Sequence, residues 1–545
     1  MQEKKWWHDK VIYEIYPKSF KDDNNDGIGD IKGIISKLDY LKDLGVDIIW
    51  ITPFFLSPMV DNGYDVEDYT KVNPIFGTMD DVDLLLDELK KREMYLMIDI
   101  VANHTSDKHP WFIESRKSKD NPYRDFYIWR ETPPYERTSC FGDSAWTLDP
   151  LTNEYYYHEF AKEQPDLNWE NPKVMDAFSS FIEFWLKKGV KGIRFDVIHF
   201  LGKEIDKDIH GYGPTLHEKV KELKHKSFGK YDIVTVGEAW GELQNALDFS
   251  SYENDELDMV FQYEHTSYTN DRDKHGKWTP RPINMKDIRD ILFKYQRSLN
   301  DVAWNTLFVE NHDLGRAINR FGDLNYYRES GTMIPTMIYF LKGTPYLYQG
   351  QEIGMINIRM NDISEYEDVE IHGSFKNLVL DNHILTRHQF MEACYQEGRD
   401  NNRTPFQWAN KRNAGWNRSH KPWLKINENY HYINAEDETK DPSSILNYYK
   451  KVFALRKDER YASTFVYGSF KEAYLENENV FSFTREDDKN LLLIVCNMHS
   501  YPTNIYLSSQ GEVLLHNYEE KEIHEGNNTL LPYESFVIKL RYFHF

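Results

Sequence analysis

The first hundred residues contain three short apolar runs, Val-Ile-Tyr-Glu-Ile-Tyr-Pro (11–17), Asp-Ile-Ile-Trp-Ile-Thr-Pro (47–53) and Tyr-Leu-Met-Ile-Asp-Ile-Val (95–101). Each run is rich in β-branched and aromatic residues, which predicts a buried strand. Between them lie two segments with apolar residues at helical spacing, 31–44, which ends before Gly45, and 79–92, which Thr78 can cap. Alternation of strands and helices in this way predicts parallel βα units.

The same alternation resumes later in the chain. A helix is predicted at 173–188, and strands at 190–197, 232–236, 259–263, 305–309 and 343–349. These bring the number of strands to eight, the count of a (β/α)8 or TIM barrel. The interval 104–173 is polar and aromatic with weak periodicity, and a structureless loop of that length is improbable in a compact domain. We therefore predict an α/β barrel made of 1–103 and 174–462, with a small inserted domain at 104–173 after strand three.

The C-terminal part of the chain has a different pattern. After a predicted helix at 444–456, short segments alternate apolar and polar residues at 479–485, 490–497, 503–507 and 535–540. This period of two predicts strands with one buried face. We predict a separate antiparallel β-sandwich domain at 463–545.

Composition narrows the classes of function. The chain has 545 residues and a formal net charge of −23, so it should repel nucleic acid and anionic membranes. Its three cysteines, Cys140, Cys394 and Cys496, lie far apart, which argues against a disulfide framework and fits a reducing compartment. The N-terminus has no apolar signal core, and no run approaches the roughly 18 apolar residues of a membrane-spanning helix. We expect a cytoplasmic monomer with no nucleic-acid or membrane partner.

Three predicted strands end in, or lead directly to, an acidic residue. Asp196 ends Gly-Ile-Arg-Phe-Asp (192–196), Glu238 ends Ile-Val-Thr-Val-Gly-Glu (233–238), and Asp313 follows Thr-Leu-Phe-Val-Glu-Asn-His (306–312). The carboxyl ends of parallel strands are where barrel enzymes keep their active sites. A single Asp at a strand end is more often a helix cap or an ion-pair partner, but the recurrence argues against that explanation. Two carboxyl groups at close range suffice to cleave a glycosidic bond.

Neighbouring residues suggest separate roles for two of these acids. Arg194 lies two residues before Asp196, so both side chains point to the same side of a strand. We expect the cation to hold Asp196 ionised, as a nucleophile requires. Glu238 precedes Ala239 and Trp240, and a carboxyl group near apolar rings has a raised pKa and can act as a general acid.

Four segments carry a resemblance to a known family: Asp-Ile-Val-Ala-Asn-His (99–104), Gly-Ile-Arg-Phe-Asp (192–196), Gly-Glu-Ala-Trp (237–240) and Glu-Asn-His-Asp (310–313). They resemble the four signature regions of the α-amylase family, glycoside hydrolase 13. Further segments at 6–20, 61–65, 164–169 and 399–408 resemble the oligo-1,6-glucosidase and dextran glucosidase branch. The resemblance covers essentially the whole chain and implies no organic cofactor.

The resemblance implies a retaining α-glucosidase. Asp196 would be the nucleophile, Glu238 the acid/base and Asp313 the stabiliser of the transition state, with the Asp196 and Glu238 carboxyls about 5–5.5 Å apart. Asp61 and Arg399 would clamp the 4-hydroxyl of the terminal glucose, so that the enzyme acts from the non-reducing end of short chains. The residues expected to bind substrate are Asp61, Tyr64, His104, Phe141, Phe160, Arg194, Val197, His312 and Arg399.

The identity of the bond that is cut depends on fewer residues. Val197 resembles the residue found in branch members that cut α-1,6 bonds, although a strand-end Val is also ordinary packing. The expected substrates are isomaltose and short isomalto-oligosaccharides. The alternatives are an α-1,4-preferring α-glucosidase, a trehalose-6-phosphate hydrolase, a sucrose isomerase and, remotely, a non-catalytic transporter-associated homologue.

Two loops bear on these alternatives. The segment 320–328 lacks the Arg-rich stretch of sucrose isomerases, which favours hydrolysis. A phosphorylated substrate would need basic residues around the leaving group, and none can be placed from the sequence. Leu314-Gly315 stands where the family usually shows Gln-Pro or Leu-Pro, so the sequence does not decide how the leaving-group side of the pocket is built.

A second motif, Asp-Asp-Asn-Asn-Asp-Gly-Ile-Gly-Asp (22–30), lies in the first loop. Alternating oxygen side chains before a Gly suit a hard cation. The twelfth position is Gly33 instead of Glu, so the motif is not an EF-hand, and an Asx-rich turn without metal is the alternative. The resemblance implies a structural Ca²⁺ held by Asp22, Asn24, Asp26, the carbonyl of Ile28, and Asp30.

Overall fold

The computed structural model describes residues 3–518 and 521–541. One sheet contains eight strands: β1 (Ile12–Ile15), β2 (Ile48–Ile51), β3 (Tyr95–Val101), β4 (Gly192–Asp196), β5 (Val234–Glu238), β6 (Met259–Phe261), β7 (Thr306–Leu307) and β8 (Thr344–Tyr348). Their order is β6-β5-β4-β3-β2-β1-β8-β7, and every neighbouring pair is parallel. All eight predicted strands are confirmed, and the sheet is a nearly closed, TIM-like barrel.

Side chains join the two end strands of the sheet, β6 and β7. Gln262 Nε2 donates to the carbonyl of Thr306 (2.9 Å), and Thr306 Oγ1 donates to the carbonyl of Val260 (3.2 Å). A buried apolar cluster fills the interior, so the barrel is a packed core and its site must lie at an end. The buried members of this cluster are Trp7, Ile12, Ile48, Trp50, Met97, Val234, Val236, Met259, Phe261, Trp304, Phe308, Tyr346 and Val466.

Helices cover the outside of the barrel. The predicted helix at 31–44 is divided into Ile31–Ser36 and Leu38–Leu44, and Thr78 caps Met79–Lys91 by accepting from the N–H of Asp81. The other helices of eight or more residues are Pro172–Lys187, Leu216–Lys226, Leu243–Ser250, Met285–Leu299, Tyr327–Tyr339, Arg387–Glu397 and Ile445–Lys457. Shorter α-helices are Pro17–Phe20, Pro110–Ser115, Ala317–Phe321, Val369–Phe375, Asp400–Arg403, Ala435–Lys440 and Ala462–Tyr467.

The chain between β3 and β4 forms a small antiparallel sheet of its own. Its strands are Trp129–Arg130, Trp146–Asp149 and Glu154–Tyr157, with the last in the centre. A bridge between His104 and Asp166 joins the two ends of this segment at the barrel rim. The domain boundaries at 103/104 and 173/174 remain predictions. A separate hairpin, Phe55–Leu56 with Asp68–Val72, follows β2.

The C-terminal part contains two antiparallel sheets. One has the strands Ser469–Glu472, Val480–Glu486, Leu491–Asn497, Gly511–His516 and Ser535–Leu540; the other pairs Thr503–Leu507 with Gly526–Leu530. Side chains of both sheets share one core, in which Val480 and Phe536 accompany Ile505 and Leu530. The antiparallel domain is confirmed. Its strands at 469–472, 511–516 and 526–530 were not predicted.

Between residues 3 and 518 and between 521 and 541, no helix is both long enough and apolar enough to span a bilayer.

Candidate active site

Arg194 is the centre of the charge cluster at the carboxyl end of the barrel. Because residues two apart on a strand face the same way, β4 places Arg194 beside Asp196, and Nη1 donates to Asp196 Oδ1 (2.6 Å). The same Nη1 donates to Asp99 Oδ1 on β3 (2.9 Å), and Nη2 donates to Glu238 Oε2 on β5 (2.5 Å). Three neighbouring strands therefore each direct one carboxyl group at a single buried guanidinium.

The Asp196 and Glu238 carboxyls accept from the two terminal nitrogens of the same guanidinium, so the protonation of each depends on the other. Burial raises the pKa of Asp196 well above its ordinary value, because Arg194 offsets only part of the desolvation and Glu238 repels a second negative charge. Burial also opposes ionisation of Glu238, but Arg194, Asp196 and Trp240 together outweigh it and lower the pKa of Glu238. The pair therefore titrates as a unit with one shared proton. Because the proton belongs to the pair, the expected assignment of an ionised Asp196 and a protonated Glu238 stays a prediction.

Asp313 is held ionised by cations on three sides. His312 Nε2 lies 3.2 Å from Asp313 Oδ2, Arg403 Nη2 donates to Asp313 Oδ1 (2.7 Å), and Arg399 Nη1 lies 3.4 Å from the same oxygen. Burial opposes ionisation of Asp313, but these charges hold its pKa well below the ordinary value. Burial likewise opposes protonation of His312, yet Asp313 and Glu14 raise the pKa of His312 to about 10.

Asp61 and Arg399 contact each other, as the sequence predicted for a clamp. Arg399 Nη2 lies 3.2 Å from Asp61 Oδ1. Asp368 fixes the guanidinium from behind, because its carboxylate accepts from Arg399 Nε (3.0 Å) and Nη2 (2.5 Å). Gln164 Nε2 donates to Asp61 Oδ2 (3.1 Å) and so holds the other half of the pair. The pair forms one wall of the site.

Aromatic rings form the remaining walls. The Tyr64 ring stacks on His312 at 5.3 Å, and its hydroxyl donates to Asp99 Oδ2 (2.9 Å). Phe160 lies between His104 and Phe141, with ring centroids 5.2 and 5.5 Å away. His104 is neutral, because burial lowers its pKa to about 4.

Val197 has an unusual backbone. Its φ is +35°, a left-handed conformation that β-branched residues rarely adopt. This conformation brings its N–H to 3.3 Å from Glu238 Oε2, and its side chain packs in a cluster with Phe141, Phe160 and Phe200. Such strain costs about 1–3 kcal/mol and persists only where surrounding contacts impose it.

These residues enclose a cavity of about 370 Å³. Ten of the twelve residues predicted to be catalytic or substrate-binding line it; Arg194 and His312 lie behind its surface. The ten are Asp61, Tyr64, His104, Phe141, Phe160, Asp196, Val197, Glu238, Asp313 and Arg399. Lining residues that were not predicted include Trp240, Arg272, Lys277, Leu314 and Glu370.

Sequence reasoning missed several residues that support the site. Asp99, Gln164 and Arg403 lie within the segments quoted for the family resemblance, so their motifs contained the signal. Asp368 carried no signal, because it lies in a polar stretch before the helix Val369–Phe375 and meets Arg399 only in the folded chain. Lys277 also escaped notice; its Nζ lies 2.5 Å from Glu370 Oε2 at the cavity wall.

The predicted calcium loop is distant from this cavity. Asp22 Oδ1 accepts from the N–H of Asn25 (2.6 Å), Asp26 Oδ1 from that of Ile28 (2.9 Å), and Asp30 Oδ2 from that of Asp23 (2.8 Å). Within the described residues, no group of three or more His, Cys, Asp or Glu side chains is placed to hold a metal ion. The donors have the oxygen chemistry that Ca²⁺ takes, but the carboxylates serve to close turns of the loop.

Comparison with known proteins agrees with this geometry. The model of the alpha amylase catalytic domain matches residues 14–465. The chain belongs to the alpha-amylase family. It is a glycoside hydrolase. The oligo-1,6-glucosidase of Bacillus cereus is 43% identical over 99% of this chain and 100% of that protein. The glucan 1,6-alpha-glucosidase of Streptococcus pneumoniae is 40% identical, over 99% and 100% of the two chains.

Solved structures of this alpha-amylase family share the whole fold. The isomaltulose synthase of Klebsiella sp. LX3 superposes with a TM-score of 0.95 at 39% identity, covering 99% of this chain and 100% of that one. The isomaltulose synthase of Protaminobacter rubrum gives 0.95 at 38% identity, with the same coverage.

Proposed function

We propose that this glycoside hydrolase is a retaining, exo-acting α-glucosidase that cuts α-1,6 bonds at the non-reducing end of isomaltose and short isomalto-oligosaccharides. The observation that carries the proposal is that Asp196 and Glu238 both accept from one guanidinium, at 2.6 Å from Nη1 and 2.5 Å from Nη2. An inverting pair stands about 6.5–9.5 Å apart to admit a water molecule, whereas a retaining pair stands closer. Two carboxyl groups held by neighbouring nitrogens of one side chain fit the closer, retaining arrangement.

The mechanism assigns the shared proton to Glu238 at the moment of reaction. Glu238 protonates the glycosidic oxygen while Asp196, now anionic, attacks the anomeric carbon and forms a covalent glucosyl-enzyme. Water then attacks that carbon, Glu238 takes one of its protons, and the bond to Asp196 breaks. Asp313 stays ionised throughout and stabilises the positive charge that develops on the sugar ring. Its fixed cations hold it in place without reorganisation.

The wall formed by Asp61 and Arg399 supports exo-action. Both groups are buried and line the cavity, and a charged donor and acceptor at contact distance suit a sugar hydroxyl that accepts from one and donates to the other. A polymer could not pass through this wall, so the terminal glucose must enter first. Tyr64 offers the face on which that glucose stacks.

Hydrolysis is favoured over isomerisation by two arginines that do not reach the cavity. Arg320 donates to the carbonyl of Thr266, and Arg328 donates to the carbonyls of Ser443 (2.7 Å) and Asn517 (3.0 Å). Neither side chain faces the leaving group, so nothing on that segment retains a released sugar for transfer back. The α-1,6 preference is supported by the names of the two relatives above and by Val197 beside the nucleophile.

A phosphorylated disaccharide is a second candidate substrate, because Arg272 and Lys277 line the cavity. Lys277 is paired with Glu370, and Glu397 and Glu370 also face the cavity. The acidic groups oppose a phosphate, so the neutral sugar remains the first proposal.

The decisive experiment is a panel of isomaltose, maltose, trehalose 6-phosphate, sucrose and dextran, with products resolved by anomer. We expect isomaltose to be preferred and α-glucose to be released first. Asp196→Asn should reduce turnover by at least about 10³-fold with an unchanged circular dichroism spectrum. Val197→Thr should raise the ratio of maltose to isomaltose rates several-fold. Equal rates of the unmodified enzyme on maltose and isomaltose would contradict the role of Val197.

A structural Ca²⁺ at loop 22–30 remains a proposal, in which Asp22, Asn24, Asp26, Ile28 and Asp30 supply the oxygen ligands. Asp26 Oδ1 and Asp30 Oδ1 each accept one N–H and retain a second acceptor site, whereas both oxygens of Asp22 accept two donors, which a metal ion would have to displace. Metal analysis of the purified protein and its melting temperature with and without a chelator test this. An unchanged melting temperature after exhaustive chelation, with no calcium in the protein, would exclude it. Cytoplasmic location and a monomeric state also remain proposals.

A further inference from the structure

Trp240 makes a direct hydrogen bond to the predicted acid/base. Its indole Nε1–H donates to Glu238 Oε1 at 2.9 Å. The residue lines the cavity and is 37% exposed, in contrast to the fully buried Arg194 that holds the other oxygen. A partly exposed ring is thus the partner of the group that must give up a proton.

The donors around Glu238 suit an anion. Oε1 accepts from Trp240, while Oε2 accepts from Arg194 Nη2 (2.5 Å) and lies 3.3 Å from the N–H of Val197. A donor that points at a carboxyl oxygen stabilises the anion and so opposes the protonated form that acid catalysis requires. The free site therefore shows Glu238 in an arrangement that favours the anion over the acid.

Trp240 is the least enclosed of these three donors. Arg194 is fixed by Asp99 and Asp196, and the N–H of Val197 belongs to the backbone. The carbonyl of Trp240 accepts from the Tyr212 hydroxyl, so its backbone is held and only its side chain is offered to the cavity. The indole contacts the rings of His199, Phe200 and Phe160 at 5.2, 5.5 and 6.4 Å.

We infer that Trp240 is a positioning residue that holds Glu238 as a hydrogen-bonded anion in the free enzyme and releases it when the leaving-group sugar enters the cavity. The inference rests on the proposed function. When the indole withdraws, the proton shared by the carboxyl pair moves to Glu238 and leaves Asp196 anionic. No proton enters or leaves the site, so substrate entry itself prepares both groups for the reaction.

Other groups around Glu238 do not compete for this role. Burial lowers the pKa of His199 to about 4, so its ring is neutral, and burial raises the pKa of Tyr263 well above its ordinary value, so its hydroxyl keeps its proton. Asp313 stays anionic, and it opposes ionisation of Glu238 equally with and without the indole. The titratable and charged groups that face Glu238 are Arg194, Asp196, His199, Tyr263 and Asp313.

The test compares Trp240→Phe with the unmodified enzyme in pH profiles on isomaltose. Phenylalanine keeps a ring but has no donor, so Glu238 ionises less readily in the free enzyme, and the acid limb of kcat/KM, which reports the free enzyme, should move up by about one pH unit. The acid limb of kcat, which reports the complex, should stay in place because the indole has already left Glu238 there. Phe200→Leu is the matched control: it loosens the packing of the indole without removing the donor, and neither limb should move.

Two results would overturn the inference. If the acid limb of kcat/KM coincides in Trp240→Phe and the unmodified enzyme, the indole does not hold Glu238. If the acid limbs of kcat/KM and kcat move together, the hydrogen bond persists in the complex and no release occurs. Activity on an aryl α-glucoside, whose leaving group needs little protonation, verifies that each variant folds and retains its nucleophile. Failure of the unmodified enzyme on isomaltose would contradict the proposed function instead.

Discussion

Asp368→Asn tests whether the clamp depends on the carboxylate behind it. Asp368 is fully buried and accepts two hydrogen bonds from Arg399, while Arg403 Nη1 lies 3.7 Å away. Burial opposes its ionisation, but the two guanidiniums lower the pKa of Asp368 to about 2. Against an ordinary value near 3.8, this corresponds to about 2 kcal/mol of free energy of unfolding.

The magnitude follows from what asparagine keeps and loses. It retains the shape and the helix cap to the N–H of Glu370 (3.1 Å), but it loses the charge and leaves Arg399 to its longer contacts with Asp61, Asp313 and the Glu370 carboxylate. We expect a melting temperature lower by a few degrees. We expect kcat/KM on isomaltose to fall about 10- to 100-fold, the effect of losing one charged hydrogen bond in the transition state.

The assay is differential scanning fluorimetry together with steady-state kinetics from pH 5 to 8. Because the pKa of Asp368 is depressed, its contribution is present above about pH 4 and lost as pH falls through about 2. The stability gap should therefore be constant across that range. Asp362→Asn is the matched control. Asp362 is also a helix cap, because its carboxylate accepts from the N–H of Ser364 (2.9 Å), but it is exposed and remote from the site. A variant at position 368 that matches the unmodified enzyme in both measurements refutes the reasoning.

Two further predictions concern buried cations. His312→Gln should lower kcat/KM about 10- to 100-fold. Because the pKa of His312 is raised to about 10, its stabilisation of the fold is full below about pH 6.5 and is lost as pH rises through 10. The difference in melting temperature between the variant and the unmodified enzyme should therefore narrow over that range, and a constant difference would contradict the prediction. Arg485→Met removes donors to the carbonyls of Phe340 (3.1 Å) and Gly468 (2.8 Å), which join the barrel to the C-terminal domain. The free energy of unfolding should fall by about 2–4 kcal/mol, while kcat/KM at 25 °C should not change. Arg460→Met, at an exposed position, is the control and should have no comparable effect.

The fold could be predicted because each barrel strand has a recognisable local sequence pattern. A strand buried on both faces is a short, continuous apolar run, and eight such runs alternate with amphipathic segments. The unpredicted strands, 469–472, 511–516 and 526–530, are mostly exposed or half-buried and lack that pattern. The division of the helix at Lys37 was missed for a similar reason, since propensity there favours helix and only packing decides the break.

The sequence by itself determined the chemistry, because a barrel brings the carboxyl ends of its strands together and fixed intervals along the chain then become one site. It placed Asp196, Glu238 and Asp313 at those ends and found most of the cavity wall. Only the tertiary structure decided the charge states. Whether a carboxyl group holds a proton depends on cations and donors that arrive from distant segments: Asp368 behind Arg399, Glu14 beside His312, and the indole of Trp240 on Glu238. Those neighbours shift the pKa of each carboxyl group, since electrostatic energy is set by distance in space and not by separation in sequence.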